Sequence, residues 1–219
     1  MKAMILAAGR GERMRPLTDM IPKPLLPVGG KPLIVHHIER LREAGFSEIV
    51  INLGHLGHLI PKTLGDGSRW GLNIYYSDEQ DEGALESLGG IVKALDILGS
   101  EQFLVLNGDI YCNYPFNKDF QLQNTLAHLI LVPNPQHNKN GDFGLNNGYI
   151  SNVAQKMFTF SGIGYYHPSI FNDTMPQKAP LAPLLRNAAD KQQISGEIFE
   201  GVWHDIGTPQ RLKEINENF

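Results

Sequence analysis

The sequence predicts an α/β fold built on a mixed, mostly parallel central sheet flanked by helices. Three observations support this class. Short apolar runs of strand length recur along the chain, as at residues 49–53 and 103–106. Longer segments between such runs place apolar residues at helical spacing. Strands and helices alternate through the first half of the chain, which is the rhythm of a parallel sheet with crossover helices.

The first half of the chain provides these elements in order. A buried strand over residues 4–7 stops at a turn at Gly9. Pro32 suits the first position of a helix, and Gly45 is placed to terminate it. The remaining elements are a strand over residues 49–53, a helix from about 55 to 64 and a strand over 72–76.

The second half is less regular but still predicts strands and helices. The run at 103–106 is continuously apolar, which is typical of a strand covered on both faces. Residues 133–144 are expected to form a polar loop. A C-terminal helix is expected to begin after Thr208 as N-cap, with Pro209 in its first turn. The other predicted elements are strands at 127–132, 149–153 and 158–166 and a helix through Leu181, Leu184, Leu185 and Ala188.

Composition and charge restrict the class of protein. The 219 residues, 42% of them apolar, suffice for a single domain with a sizeable core, organised as halves over residues 1–110 and 111–219. A net charge of −4 without basic runs argues against a nucleic-acid-binding surface. Cys112 is the single cysteine, so a reducing compartment is indicated. No stretch approaches the ~18 apolar residues of a membrane span, so we expect a cytoplasmic protein.

The segment after the first strand has the composition of a phosphate-binding loop. Gly9 and Gly11 allow a tight turn that brings backbone N–H groups close to an anion. Arg13, Arg15 and Lys23 add three cations within a short stretch of chain. Together these residues predict a cradle for a polyphosphate.

The alternatives to this phosphate-binding loop are two other glycine motifs and an ordinary turn. A dinucleotide-binding loop needs a third glycine where this chain has Met14, followed at once by a helix. Pro16, Pro22 and Pro24 instead keep the next segment extended or looped. No Gly-Lys-Ser or Gly-Lys-Thr follows the glycines, so the P-loop does not match. A plain turn explains two glycines alone, but it does not explain the two arginines and Lys23 together.

Two ordered blocks of residues carry a resemblance to a known family. Residues 6–18 read Leu-Ala-Ala-Gly-Arg-Gly-Glu-Arg-Met-Arg-Pro-Leu-Thr, and residues 22–28 read Pro-Lys-Pro-Leu-Leu-Pro-Val. These blocks resemble the signature of the sugar-phosphate nucleotidyltransferases, also named nucleotide-sugar pyrophosphorylases. The resemblance implies the Rossmann-like nucleotide-diphospho-sugar transferase fold. It also implies that a sugar 1-phosphate attacks the α-phosphorus of a nucleoside triphosphate and that pyrophosphate leaves.

The resemblance assigns the first block to the triphosphate. Arg13 would face the departing pyrophosphate, Lys23 would bridge the α-phosphate and the attacking sugar phosphate, and Arg15 would assist. No general base is expected, because a phosphate monoester with a second pKa near ~6 is already largely a dianion at neutral pH. The residues expected to cradle the triphosphate are Ala7, Ala8, Gly9 and Gly11.

Residues 85–90 are expected to contact the base of the nucleotide. They read Leu-Glu-Ser-Leu-Gly-Gly and precede a helical stripe, at a place where open α/β sheets bind ligands. Family members commonly have Leu-Gly-Thr-Ala-Gly here, whereas a Leu-Glu-x-x-Gly-Gly variant resembles the branch that makes UDP-N-acetylmuramic acid. Leu85, Glu86 and Ser87 are the candidate ligands. The alternative is a plain helix start with Ser87 as N-cap and Glu86 in solvent.

Two aspartates are candidates for a magnesium site. Asp109 ends the turn that follows strand 103–106, which places a carboxylate at the carboxyl edge of the strand beside the cationic loop. Asn107, in the same turn, is a candidate substrate ligand. Residues 203–208 read Trp-His-Asp-Ile-Gly-Thr and resemble a family block whose aspartate supplies the second magnesium carboxylate. That aspartate is Asp205 here.

Paired histidines raise the alternative of a zinc site. His36 and His37 are adjacent, and His55 and His58 are three residues apart. Neither pair has a third ligand at suitable spacing. Histidines in the core or in solvent are therefore the better interpretation.

The second half of the chain is expected to hold the sugar phosphate, as it does in the family. The predicted strand at 158–166 contains glycines, which suggest close approach by a ligand or by another backbone. Each candidate also suits a turn or the core. The candidate sugar ligands are Asp142, Phe143, Ser161 and Gly162.

Length and loop sequence favour one branch of the family. Many relatives carry a C-terminal left-handed β-helix acyltransferase domain, for which 219 residues are too few. Together with Gly141-Asp142-Phe143, the loop at 85–90 makes Mg²⁺-dependent synthesis of UDP-N-acetylmuramic acid from UTP the first expectation, in a monomer that serves peptidoglycan recycling. The alternatives are a nucleotidyltransferase for mannose, glucose or heptose 1-phosphate, and a non-catalytic regulator that binds nucleotide sugars. A NAD(P)-binding protein is a more distant alternative.

Overall fold

The computed structural model describes residues 1–81 and 83–219. The strands are β1 (Ala3–Leu6), β2 (Pro27–Val28), β3 (Lys31–Pro32), β4 (Glu48–Leu53), β5 (Asn73–Asp78), β6 (Phe103–Asn107), β7 (Ile110–Cys112), β8 (Ala127–Val132), β9 (Phe143–Asn146), β10 (Tyr149–Ser151), β11 (Met157–Tyr166), β12 (Ile194–Ile198) and β13 (Trp203–Asp205). The helices are α1 (Leu33–Glu43), α2 (Leu59–Leu64), α3 (Glu86–Lys93), α4 (Leu95–Leu98), α5 (Ala182–Asp190) and α6 (Pro209–Glu217).

A nine-stranded sheet runs through the described part of the chain in the order β5-β4-β1-β6-β11-β8-β12-β10-β9. The first four strands of this order are parallel to one another. β11 then runs antiparallel between β6 and β8, and β10 is antiparallel to both β9 and β12. β9 also pairs with β11, so the far end of the sheet folds back onto a central strand. The sheet is mixed as predicted, but the expected parallel arrangement holds mainly in its first half.

The connections explain this difference between the two halves. In the first half, α1 and α2 connect consecutive strands, and a crossover of this length is what parallel strands require. In the second half, β9 and β10 are joined by Asn147 and Gly148, whose φ angles are 51° and 81°. Two positive φ angles at an Asn-Gly pair are the mark of a type I′ hairpin turn. This hairpin starts β9 at Phe143, inside the segment that the sequence predicts as a polar loop.

The start of α2 and the presence of β12 differ from the sequence prediction, whereas the start of the C-terminal helix agrees with it. α2 begins at Leu59, because residues 55–58 form turns, and β12 is a strand that the sequence analysis does not anticipate. The prediction at the C-terminal helix is confirmed, since the Thr208 hydroxyl accepts the Arg211 N–H at 3.3 Å and Pro209 begins the helix. Within residues 1–81 and 83–219, no helix has the length and apolar character to cross a membrane.

Apolar side chains form two cores on opposite faces of the sheet. On β1, Ala3 and Ile5 belong to one core and Met4 to the other. On β6, Leu104 and Val105 divide in the same way. Successive side chains of a strand point to opposite faces, so this alternation places a core on each side.

A third, smaller apolar cluster attaches the C-terminal helix to the N-terminal segment. Leu212 and Ile215 of α6 pack with Met14, Val28 and Leu33. α6 thereby lies beside the chain that follows β1. The carboxyl ends of β1, β4 and β6 meet at this edge of the sheet, where open α/β sheets bind ligands.

Candidate active site

A cleft of about 550 Å³ opens at the carboxyl ends of β1, β4 and β6. Its lining adds Arg10, Asn52 and Lys178 to the residues that the sequence predicts. Cations and backbone N–H groups from the loop after β1 therefore share one cavity with a carboxylate from the end of β6. The predicted site residues that the cleft brings together are Ala7, Ala8, Gly9, Gly11, Arg13, Lys23, Glu86, Ser87, Asn107 and Asp109.

Two glycines shape the loop after β1 in different ways. Gly11 has a φ of +63°, in the left-handed region that favours glycine. A Cβ there would lie 3.0 Å from Cγ2 of Thr18, whose hydroxyl donates to Gly11 O at 2.8 Å. At Gly9, by contrast, a Cβ would meet no other atom within 4 Å. Gly11 thus fixes the turn, while Gly9 leaves space on the cleft side of the loop.

An ion pair joins two loops of the cleft that lie far apart in sequence. Lys23 Nζ donates to Asp109 Oδ2 at 2.6 Å. The Lys23 side chain is 9% exposed and that of Asp109 is 35% exposed. Lys23 begins a 3₁₀ turn with Pro22 before it and Pro24 after it, and prolines restrict the backbone on both sides. The lysine is therefore held in place, while the carboxylate remains accessible from the cleft.

A buried hydrogen-bond network connects the phosphate loop to the loop before α3. Asn52 on β4 accepts the Ala7 N–H at 2.6 Å and donates Nδ2 to Glu79 Oε1 at 2.7 Å. Glu79 Oε2 accepts the Leu85 N–H at 2.8 Å. Both Asn52 and Glu79 are buried, and a buried polar group is tolerated when it is hydrogen-bonded. These contacts fix the distance between the two loops, and no sequence motif indicated them.

The start of α3 differs from the plain N-cap alternative. Leu85 is the N-cap residue, and Ser87 lies inside the helix, where its hydroxyl accepts the Leu181 N–H at 3.0 Å. Glu86 has a φ of +60°, which is uncommon for a residue with a side chain. Strained backbone of this kind clusters at ligand-binding loops.

The segment before α5 forms part of the cleft wall because it pairs with the start of α3. The Ala179 N–H donates to Leu85 O at 3.0 Å, and Ala179 O accepts the Leu88 N–H at 3.0 Å. This pairing places Lys178 in the lining of the cleft. The sequence gives no signal for Lys178, because the contact depends on two segments that are distant along the chain.

Asp205 lies beside Asp109 in the fold but lines a second pocket. β13 pairs antiparallel with β7, and the Ile206 N–H donates to Asp109 O at 2.9 Å. The Asp205 carboxylate accepts from Arg211 Nη1 at 2.7 Å and lies 3.1 Å from His137 Nε2. The second pocket measures about 980 Å³ and is walled by the loop before β9, by β13 and by α6. The two predicted metal carboxylates therefore come from paired strands, with Asp109 in the lining of the cleft and Asp205 in that of the second pocket.

The side-chain oxygens of Asp109 and Asp205 are of the kind that binds a divalent cation. Mg²⁺ is usually bound by one or two carboxylates together with water and substrate phosphates, and not by a complete protein cage. Asp109 and Asp205 supply two such carboxylates, with exposed fractions of 35% and 22%. Among the described residues, no group of three or more His, Cys, Asp and Glu side chains could hold a metal. The arrangement suits a cation shared between the protein and its phosphate substrates.

Two predicted residues of the nucleotide half do not line the cleft. Arg15 is exposed and forms an ion pair with Asp19 at 3.3 Å. Leu85 is buried and takes part through its backbone, as described above. The structure thus separates Arg15 from Arg13, which does line the cleft.

The four predicted sugar ligands lie on β11 or at the start of β9, which pairs with it, and none of them is in the lining of either pocket. Asp142 accepts a backbone N–H of β11 at 2.9 Å, and Phe143 is buried in the core. Ser161 is buried, and its hydroxyl donates to a carbonyl of β8 at 2.7 Å. Gly162 has a φ of +81°, and a Cβ there would lie 2.5 Å from Asn107 Nδ2. The expected close approach at this glycine is therefore made by Asn107.

His37 on α1 is a buried histidine near the cleft. Burial lowers the pKa of His37 from 6.5 to about 4, although a hydrogen bond to the Ile110 backbone opposes this shift. Its neighbour His36 places Nε2 2.9 Å from Val28 O. His37 is therefore a core histidine, one of the two alternatives to a zinc ligand that the sequence analysis gives.

Known proteins share this fold and much of this sequence. Residues 2–159 match the nucleotidyl transferase family. The chain is 51% identical over 225 residues to an N-acetylmuramate alpha-1-phosphate uridylyltransferase of Neisseria meningitidis, an alignment that covers 98% of this chain and 96% of that protein. It is 30% identical over 229 residues to a mannose-1-phosphate guanyltransferase of Schizosaccharomyces pombe, with 96% of this chain and 62% of that protein covered.

The fold also has a counterpart among solved structures. A glucose-1-phosphate thymidylyltransferase candidate from Bacillus anthracis superimposes with a TM-score of 0.85 at 23% identity. The match covers 100% of this chain and 94% of that structure. At this identity the likeness concerns the fold alone.

Proposed function

Because the chain belongs to the nucleotidyl transferase family, we propose that it joins UTP and N-acetylmuramic acid α-1-phosphate to give UDP-N-acetylmuramic acid and pyrophosphate. The observation that carries this proposal is the 51% identity to the Neisseria uridylyltransferase over nearly the whole of both chains. The mixed sheet is then the nucleotide-diphospho-sugar transferase fold. The enzyme acts as a cytoplasmic monomer and returns N-acetylmuramic acid to cell-wall synthesis in peptidoglycan recycling.

The two halves of the single domain divide the substrates between them. Residues 1–110 bind UTP in the cleft, and residues 111–219 bind the sugar phosphate in the second pocket. This division is supported by the presence of Asp109 in the lining of the cleft and of Asp205 in the lining of the second pocket. The base of UTP lies against Leu85, Glu86 and Ser87, where backbone groups discriminate it.

The chemistry is a displacement at the α-phosphorus of UTP. A phosphate oxygen of the sugar 1-phosphate forms the new bond to that phosphorus, and the bond to the oxygen that bridges to the β-phosphorus breaks. Pyrophosphate leaves with that electron pair. The nucleophile needs no base, because a phosphate monoester is largely dianionic at neutral pH. Positioning and charge neutralisation are therefore the main tasks of the protein.

The loop after β1 and Lys23 perform those tasks. Gly9 and Gly11 expose backbone N–H groups to the triphosphate, as does the chain at Ala7 and Ala8. Arg13 neutralises the leaving pyrophosphate, and Arg15 assists from the outer side of the loop. Lys23, held between prolines, contacts the α-phosphate and the attacking phosphate, which brings two anions together.

Asp109 and Asp205 would hold Mg²⁺. The cation supplies charge neutralisation for the anionic reactants. Asn107, Asp142, Phe143, Ser161 and Gly162 contribute to the sugar side, with Asp142 and Ser161 supporting it through the backbone contacts of β11. The proximity of Gly162 to Asn107 supports a role for both at the boundary with the sugar.

Pyrophosphate release tests the proposal. The protein would be mixed with Mg²⁺ and each pair from UTP, dTTP, GTP and CTP with the 1-phosphates of N-acetylmuramic acid, N-acetylglucosamine, glucose and mannose. The expected result is a clear preference for UTP with the N-acetylmuramic acid phosphate. Preference for another pair would retain the transferase mechanism and refute the substrate. Absence of release from every pair would favour the non-catalytic regulator.

A further inference from the structure

The second pocket contains an arginine that phosphate transfer does not require. If the proposed function holds, the triphosphate occupies the cleft and the sugar ring extends across Asp109 into the second pocket. Arg211 and His137 line that pocket next to Asp205. Among the described residues of the lining, Asp205 and Glu214 are the acidic ones, and Asp205 already contacts both Arg211 and His137.

The guanidinium group of Arg211 is held in one orientation. Nη1 donates to Asp205 Oδ2 at 2.7 Å, and Nε donates to the Thr208 hydroxyl at 3.4 Å. Nη2 packs against Gly207, where a Cβ would lie only 2.4 Å away. The side chain is 20% exposed. A guanidinium carries five N–H donors. Asp205 and His137 engage Nη1, and the contact from Nε is long at 3.4 Å, so among the described residues Nη2 and Nε have donors available for a ligand.

His137 places the loop before β9 next to this arginine. Its Nε2 lies 2.9 Å from Arg211 Nη1 and 3.1 Å from Asp205 Oδ2. Three groups from three segments of the chain therefore converge in the wall of the second pocket. A carboxylate that shares its charge with a divalent cation leaves more of the arginine charge for a second anion.

We propose that Arg211 binds the carboxylate of the sugar substrate and so selects a sugar 1-phosphate that carries a second anionic group. N-acetylmuramic acid differs from N-acetylglucosamine by a lactyl ether that ends in a carboxylate. Arginine is suited to this task, because its planar fork matches a carboxylate with two parallel hydrogen bonds. The inference rests on the proposed function and names the residue that determines the choice of sugar.

The test compares two sugar phosphates that differ only in the lactyl group. Binding of N-acetylmuramic acid and N-acetylglucosamine 1-phosphates would be measured by calorimetry, and kcat and KM by pyrophosphate release with UTP and Mg²⁺. Arg211→Gln should weaken binding of the N-acetylmuramic acid phosphate about 30-fold, the range for a hydrogen-bonded charge pair. The affinity for the N-acetylglucosamine phosphate should change less than about threefold.

The controls distinguish recognition of the sugar carboxylate by Arg211 from positioning of Asp205 by the same side chain. Lys213→Gln, on the same helix with a 70% exposed side chain that pairs with Glu217, should change neither affinity. Arg211→Lys keeps the charge without the fork, so it should give an intermediate, equally selective loss. It also tests the proposal if Arg211→Gln fails to fold.

The outcomes distinguish this inference from the proposed function. Equal losses for both sugar phosphates would mean that Arg211 acts only by positioning Asp205, and would overturn the inference alone. Equal binding of both phosphates by the unaltered protein would refute the sugar assignment itself, and the inference with it. A loss confined to the phosphate with the lactyl group supports both.

Discussion

The cleft and the second pocket each contain an aspartate paired with a cation, but the two pairs are built differently. Asp109 pairs with Lys23 at 2.6 Å across 86 residues of sequence. Asp205 pairs with Arg211 at 2.7 Å across only six residues, within one strand-to-helix turn. The first pair joins two loops at the ends of parallel strands. The second lies at a corner whose other wall, the loop with His137, belongs to the antiparallel half of the sheet.

This difference indicates a division between general chemistry and substrate choice. Binding a triphosphate needs backbone N–H groups and a few cations, which one glycine-containing loop supplies. Recognition of one sugar needs groups at several points around the ring, and the second pocket, which we propose holds the sugar, is walled by the loop before β9, by β13 and by α6. Changes in the cleft should then affect every substrate pair, whereas changes in the second pocket should depend on the sugar.

Removal of Lys23 should have the largest effect. We expect Lys23→Ala to lower kcat about 1000-fold with every active substrate pair, because one electrostatic contact to the transition state contributes up to about that factor. The fold should persist, because Asp109 is 35% exposed and can be hydrated without its partner. Pyrophosphate release and thermal unfolding would measure the two effects.

Lys31→Ala is the matched control for this variant. Lys31 pairs with Glu39 at 2.5 Å and lies outside both cavities, so activity and thermal stability should stay near those of the unaltered protein. If Lys23→Ala retained near-normal turnover, or lost activity with one sugar only, the comparison between cleft and pocket would fail. Unfolding of Lys23→Ala would indicate a structural role for the lysine.

Much of the cleft could be predicted because its residues lie in contiguous stretches. The glycines and cations of residues 9–23 carry a signal in their own order, and Asp109 follows an apolar run that is easily assigned to a strand. Asn52 and Glu79 could not be predicted in this way. Each is an ordinary polar residue near a strand end, and its role depends on packing between β4 and the loop before α3.

The second half of the fold was harder to predict for the same reason. β11 inserts between β6 and β8, an order that depends on pairing between distant segments. β12 contains Gly196 and lacks a long apolar run, so its strand character comes from pairing with β8. The Asn147-Gly148 turn is the exception, since its hairpin signal is local and present in the sequence. Arg211 looks like any exposed helix residue until Asp205 and Gly207 are placed beside it.

The pH dependence of stability should reflect the buried histidine beside the cleft. His37 has a folded-state pKa of about 4, below its ordinary value of 6.5, because burial disfavours the charged ring. Between those two values the unfolded chain binds a proton that the folded protein does not bind, so stability falls as pH falls. At about 1.36 kcal/mol per pKa unit, the free energy of unfolding should drop by about 3 kcal/mol from pH 7 to pH 4 through this group.

Denaturant unfolding at several pH values would measure this contribution. In His37→Gln, the part of the acid slope that belongs to His37 should disappear, whatever the stability of that variant at pH 7. The matched control is His58→Gln, since His58 is exposed and should leave the slope unchanged. If the acid slope were unchanged in His37→Gln, other groups would cause the acid destabilisation, and the neutral state of His37 would not contribute to the stability of the protein.

Two glycine variants should distinguish the roles of the cleft and the second pocket through a smaller effect, a change in KM. Gly9 and Gly207 both lack the left-handed backbone that favours glycine, so alanine is compatible with each backbone. At Gly9, which lines the cleft, a Cβ would meet no atom within 4 Å, so it would interfere only with a ligand such as the proposed triphosphate. Gly207 itself lines the cleft, but a Cβ there would lie 2.4 Å from Arg211 Nη2 and 2.8 Å from Asp205 Oδ1, and both of these side chains line the second pocket.

Gly9→Ala should therefore raise the KM for UTP about tenfold and leave the KM for the sugar phosphate near its original value. Gly207→Ala should do the reverse, and tenfold corresponds to about 1.4 kcal/mol of binding free energy. Steady-state kinetics with each substrate varied in turn would measure both constants, and each variant serves as the control for the other. If Gly207→Ala raised the KM for UTP alone, displacement of Arg211 and Asp205 would not affect the sugar phosphate, and the assignment of the sugar to the second pocket would be contradicted. Because both glycines line the cleft and both substitutions add the same methyl group, a crossed result would have to come from the displaced Arg211 and Asp205.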